Sequence, residues 1–113
     1  MKAISVIQPW ATLIAIGAKK IETRSWPTSH RGPIAIHAST SKPRWANECF
    51  QDCCMQVLKK SGWKDLPRGC VVATANLDKC VQFTSVAKIE RVAAEFGYEE
   101  IAYGDFSIGR YGW

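Results

Sequence analysis

The sequence predicts one small α+β domain over residues 1–113. Apolar runs of strand length stand at 2–7, 33–38 and 69–77, and apolar residues recur at helical spacing after Pro9 and after Ser41 and Pro43. A chain of 113 residues that is 47% hydrophobic supplies one ordinary core and leaves no room for a second.

Taken in order, residues 2–7 alternate loosely and read as a first strand. Pro9 suits the first turn of a short helix, where a missing amide hydrogen costs nothing, and Trp10, Leu13, Ile14 and Gly17 line one side of it. Gly17 is a natural stop. Residues 20–26 read as a second strand, followed by a turn containing Pro27, His30, Arg31 and Gly32. Residues 33–38 form a largely buried strand. Ser41 and Pro43 announce a longer helix, in which Trp45/Ala46, Cys49/Phe50, Cys53/Cys54 and Val57/Leu58 recur every four residues until Gly62. Ser39 and Thr40 suit its cap rather than a nucleophile's place. Residues 69–77 read as a buried strand, with Asp78 where it reaches the surface. Residues 84–95 fit either a short amphipathic helix, through Val86, Ile89 and Ala93, or a loop. The aromatic, glycine-rich tail from Tyr103 to Trp113 suits a turn leading into a strand that begins as the chain stops.

The place to look for a site is 17–26, GAKKIETRSW. In an extended chain Lys20, Glu22, Arg24 and Trp26 share one face, and Lys19, Ile21, Thr23 and Ser25 share the other. Glu22 and Arg24 then stand side by side, each holding the other's rotamer while the guanidinium keeps donors for a phosphate or a base edge. Opposite charges beside an aromatic are costly to bury unless they pair or meet a ligand. Spacing alone leaves two readings open: a ligand site, or a solvated strand whose surface ion pair contributes about 0–1 kcal/mol.

The charge is uneven. Residues 1–44 carry seven bases against Glu22 alone, a balance of +6, whereas the remainder carries eight bases and nine acids, a balance of −1. Such asymmetry favours an anionic partner, a nucleic acid or a nucleotide. No stretch approaches the ~20 apolar residues of a membrane span, and no long apolar signal core follows Met1, so a soluble, cytoplasmic protein without a membrane partner is expected. The five cysteines are odd in number and lack C-x-x-C pairs: Cys49, Cys53 and Cys54 crowd one segment, while Cys70 and Cys80 flank another. They read as reduced, buried thiols, the alternative being a weak metal site with His30 or His37. Neither a metal nor a cofactor is assigned.

Gly17-x-Lys19-x-x-Glu22-x-Arg24, preceded by Gln8-Pro9-Trp10-Ala11 and followed by His30-Arg31-Gly32-Pro33-Ile34-x-Ile36-His37-Ala38, resembles the ASCH domain, and in particular its small single-domain bacterial and phage members. Residues 69–77 resemble the family's later core strand, and Gly104-Asp105-Phe106 through Trp113 its approach to the final strands. The resemblance implies a PUA-like fold, a small, partly open β-barrel with flanking helices and a cleft beside the motif. In that family further strands follow the position of Trp113, which would leave this chain an open sheet edge and a route to a homodimer.

The resemblance also implies an RNA-binding or coactivator module. Lys19, Arg24 and Arg31 would contact phosphate, Glu22 would orient Arg24, and Trp10 or Trp26 would offer a stacking face to an unpaired base. Core packing is the alternative for both indoles. Two further readings use other chemistry. Some ASCH-like proteins resemble hydrolases of N4-acetylcytidine that use a lysine, a threonine nucleophile and a glutamate; Lys19 matches the lysine, but Glu22 stands in the threonine's place, where a carboxylate cannot serve as that nucleophile. A ribonuclease would draw a base and an acid from Glu22 or His37 beside Lys19 and Arg24, although His37 lies in an apolar strand that suits a hydrogen-bonded structural histidine. The last reading is a protein-interaction adaptor.

Overall fold

The computed structural model describes residues 1–49, 66–97, 100 and 103–113. In chain order the elements among them are β1 (Lys2–Val6), α1 (Trp10–Ala15), β2 (Thr23–Arg24), β3 (Gly32–Ala38), α2 (Arg44–Cys49), β4 (Cys70–Leu77), β5 (Val81–Gln82), α3 (Val86–Phe96) and β6 (Tyr111–Gly112). They fall into two compact units, Met1–Ala18 with Pro33–Ala75, and Lys19–Gly32 with Asn76–Trp113.

In the first unit, β1 runs parallel to β3, with Lys2 opposite Ile34 and Val6 opposite Ala38, in a sheet ordered β1-β3-β4. The middle strand buries Ile34, Ala35, Ile36 and Ala38, as its apolar run predicts. The outer strand β4 departs from expectation. Only Leu77 in it is buried, and Val71 is 55% exposed. An apolar run marks a strand but says nothing of its place in the sheet, and β4 occupies an edge of this one.

Gln8 caps α1 from the preceding position. Its fully buried amide accepts a bond from the Thr12 N–H at 3.0 Å and donates to the Pro67 carbonyl at 2.8 Å. Gly17, at φ +82°, closes the helix, where a side chain would strain the left-handed turn. The helix expected from Ser41 to Gly62 begins as α2. Its continuation, with the Cys53/Cys54 and Val57/Leu58 pairs, lies outside the described residues. Of the thiols expected to be buried, Cys70 is exposed and Cys80 half-buried; the side chains of Cys49, Cys53 and Cys54 also lie outside the described residues.

The second unit holds the other sheet, ordered β2-β6-β5 and antiparallel throughout. The tail does form a strand, and that strand is the middle one: Gly112 faces Thr23 on one side and Val81 on the other. Glu22 and Trp113 exchange backbone bonds of 3.2 and 2.8 Å, carrying the ladder one residue beyond β2. Below the sheet, Ile21, Phe83 and Phe106 form a buried cluster, with the two phenyl rings stacked at 5.0 Å. The ambiguous segment at 84–95 is the helix α3, which lays Ile89, Val92 and Phe96 on that cluster. Ser85 caps it by accepting a bond from the Lys88 N–H at 3.2 Å.

Gly112 is where this packing is tightest. A Cβ there would stand 2.7 Å from Phe83 Cζ and 3.1 Å from Ile21 Cγ2. Gly112→Ala should therefore cost about 1–3 kcal/mol by overpacking, read as a lower urea midpoint, and the cost should shrink when Phe83 is first replaced by Leu.

Candidate functional site

The motif is organised by a lysine that the sequence places on the surface and the fold places inside. Lys19 is 1% exposed, and its Nζ donates to the Ile21 carbonyl at 2.5 Å and to the Tyr103 carbonyl at 2.9 Å, with Glu22 Oε1 3.9 Å away. A second bond comes from the C-terminal side. Glu100, also 1% exposed, accepts the Lys20 N–H on Oε1, while its Oε2 has no hydrogen-bond partner among the described residues. Burial pushes the Glu100 carboxyl above its ordinary value of 4.5, against the lowering effect of the Lys20 amide and of the Lys19 and Lys20 charges. Segments eighty residues apart in sequence are thus tied by two bonds, one through the Lys19 side chain and one through the Glu100 side chain, with residues 19 and 20 the donors in both.

These ties explain why β2 is shorter than the strand read at 20–26. Residues 19–21 spend backbone groups on the Lys19 and Glu100 side chains, so strand pairing begins only beyond them. Further on, the alternation holds. Glu22 Oε2 accepts from Arg24 Nη2 at 3.1 Å, and Glu22 Oε1 accepts from the Thr23 N–H at 3.0 Å. Arg24 lies over the Trp26 ring, 5.5 Å from its centroid, and that indole is 51% exposed. Trp113 Nε1 donates to the Trp26 carbonyl at 3.2 Å and fixes the loop that presents the ring. Thr23, on the opposite face, accepts the Asp105 N–H on its hydroxyl at 3.0 Å. Asp105 is held below its ordinary value of 3.8 by hydrogen bonds from Ser107, its hydroxyl first, and by the Arg110 charge.

Arg31 is exposed, and its guanidinium folds back on its own turn, donating to the Thr28 and His30 carbonyls at 3.0 and 2.8 Å. The fold thus joins Lys19, Glu22, Arg24 and Trp26 in one connected series within the second unit. Trp10 and His37 belong to the first unit. His37 is half-buried, its Nδ1 2.9 Å from Ser5 Oγ across the β1–β3 pair. Trp10 is half-buried and packs on Trp45, with ring centroids 5.6 Å apart.

Glu100, Tyr103 and Trp113 escaped the sequence reading. Tyr103 and Trp113 act chiefly through backbone atoms and an indole N–H, which no motif encodes, and Glu100 stands beside Glu99 in a stretch with nothing to mark which acid turns inward. Among the described residues, no group of three or more His, Cys, Asp or Glu side chains could hold a metal ion, and no helix is long and apolar enough to cross a membrane.

The described residues form two small sheets and three helices with no closed barrel among them, an α+β fold consistent with a partly open PUA-like barrel. The chain belongs to the ASCH domain family, whose model matches residues 4–108. It is similar to human activating signal cointegrator 1, 35% identical over 81 residues, which covers 69% of this chain and 14% of that protein. It is also similar to the mouse protein of the same name, 32% identical over 81 residues with the same coverage. The chain spans about a seventh of the length of these curated relatives.

Two outcomes follow from the buried pair. Lys19→Met leaves two carbonyls and the Glu100 carboxylate without their ammonium, and should cost about 3 kcal/mol in chemical denaturation. For Glu100, a raised value means that its stabilising contribution is complete below pH 4.5 and is lost as pH rises through the raised value. Glu100→Gln stays neutral while keeping an acceptor for the Lys20 N–H. The urea midpoint of this variant should therefore gain on that of the parent chain as pH is raised from 4.5 to 8.

Proposed function

We propose that the chain is a single ASCH module that binds single-stranded RNA, with Arg24 and Trp26 as the ligand-facing pair. The observation that carries this reading is the guanidinium held over a half-exposed indole by Glu22. A cation fixed beside a ring face fits an unpaired base with its phosphate: the ring takes the base by stacking, and the cation sets the register of the backbone. Arg31, exposed at the end of the same unit, extends the cationic surface. Lys19 takes part by fixing the strand that carries Glu22 and Arg24. The +6 balance of residues 1–44 supports the same class of ligand.

Binding is preferred to hydrolysis for a chemical reason. Glu22 stands where the acetylcytidine hydrolases have their threonine nucleophile, and its carboxylate already accepts bonds from Arg24 and from the Thr23 N–H. His37 is engaged with Ser5. The relatives' name, a cointegrator, favours a second reading as an adaptor for other proteins.

Fluorescence anisotropy with a labelled 12-nucleotide single-stranded RNA tests the first reading. Arg24→Ala and Trp26→Ala should each weaken binding about tenfold, and only the arginine change should lower the dependence of affinity on salt. Unchanged affinity in both variants would refute the ligand-facing pair. Absence of RNA binding, with capture of a protein partner that survives nuclease, would support the adaptor.

A further inference from the structure

The first unit carries a second aromatic feature that the motif does not account for. Trp45 is the second residue of α2, and it is 55% exposed, whereas Ala46 beside it is fully buried. Successive helical residues are turned about 100° from one another, so a helix that sends Ala46 inward leaves Arg44 and Trp45 outward. One side of the Trp45 indole rests on Trp10, centroids 5.6 Å apart and planes tilted by 32°. The half-buried Trp10 thus backs an outer ring that keeps half of its surface in water. A large aromatic left so exposed, with few rotamers to lose and a firm backing, is suited to stacking.

Its surroundings select the partner. Lys42 and Arg44, both exposed, immediately precede the ring, and no acid occurs between Glu22 and Glu48. An apolar ligand or a proline-rich peptide would make use of the indoles alone. A ring backed by a second ring and preceded by two exposed cations matches a base together with its phosphate, with Glu48, three residues on, the nearest acid in sequence.

We infer that the Trp10–Trp45 pair with Lys42 and Arg44 is a second single-strand nucleic-acid contact, with Trp45 stacking on an unpaired base and the two cations meeting the adjoining phosphates. The inference rests on the RNA-binding reading above and adds a contact independent of Arg24 and Trp26. Trp45 is the stacking residue, and Trp10 positions it.

The test uses the full chain and a fluorescein-labelled 12-nucleotide single-stranded RNA, with tryptophans replaced by 5-fluorotryptophan for ¹⁹F NMR. Trp45→Ala should weaken binding about tenfold, while Trp45→Phe, which keeps a ring, should stay within about threefold. Changing Lys42 and Arg44 together to Ala should flatten the salt dependence by one to two phosphate contacts, about 0.7 in logarithmic slope for each. The ¹⁹F resonance of Trp45, assigned by its loss in Trp45→Phe, should move on addition of RNA in a Trp26→Ala background as well. If the parent chain binds RNA and Trp45→Ala binds equally well, the second contact is overturned while the RNA-binding reading stands. If the parent chain binds no RNA, both are overturned. A Trp45 resonance that moves with a proline-rich peptide but not with RNA overturns the nucleic-acid assignment of this surface.

Discussion

A lysine ammonium taken out of water must recover several kcal/mol of lost hydration from fixed partners, and Lys19 is in that position. Two backbone carbonyls and the nearby carboxylates of Glu22 and Glu100 supply the recovery. Because the carbonyls belong to Ile21 and Tyr103, the same bonds that solvate the ammonium join the start of the motif to the C-terminal segment. Glu100 completes the tie from the other direction by holding the Lys20 amide. The second unit is organised outward from this junction. Ile21 enters the cluster with Phe83 and Phe106, Glu22 pairs with Trp113, and β2 follows against β6.

The surface chemistry depends on that buried junction through short links. Glu22 lies between the two regimes, 3.9 Å from the interior ammonium on one oxygen and 3.1 Å from the Arg24 guanidinium on the other. The guanidinium is therefore oriented in the free protein, so less side-chain entropy would be lost in the binding we propose. Trp26 is held at its carbonyl by Trp113, and its ring lies under Arg24. The division of labour within Gly-x-Lys-x-x-Glu-x-Arg is then physical: the lysine builds, the glutamate aligns and the half-buried arginine covers the Trp26 ring.

Much of the fold was legible because it follows periodicity. The strands at 2–7 and 33–38, the helix between Pro9 and Gly17 and the pairing of Glu22 with Arg24 all depend on neighbours in sequence, and local patterns report neighbours. The family could be read for a similar reason, since its motifs are short and ordered along the chain. Lys19 could not be read as buried, because the groups that make its burial tolerable are a carbonyl eighty-four residues away and an acid with no local signature. The exposure of β4 was hidden likewise. Its apolar run is what a buried middle strand has, and only the order of strands reveals an edge. The segment at 84–95 could be settled only by the Phe83 cluster against which α3 packs.

The central claim is that Lys19 is an internal tie and that Arg24 with Trp26 is the face a ligand meets. NMR titration of the ¹⁵N-labelled chain with single-stranded RNA, following the Lys19 Nζ, Arg24 Nη and Trp26 indole signals together, tests it most directly. The account predicts that the Arg24 and Trp26 signals shift with RNA while the Lys19 ammonium stays in place and slow to exchange with water. A Lys19 signal that shifts with RNA while Trp26 remains unmoved would contradict it.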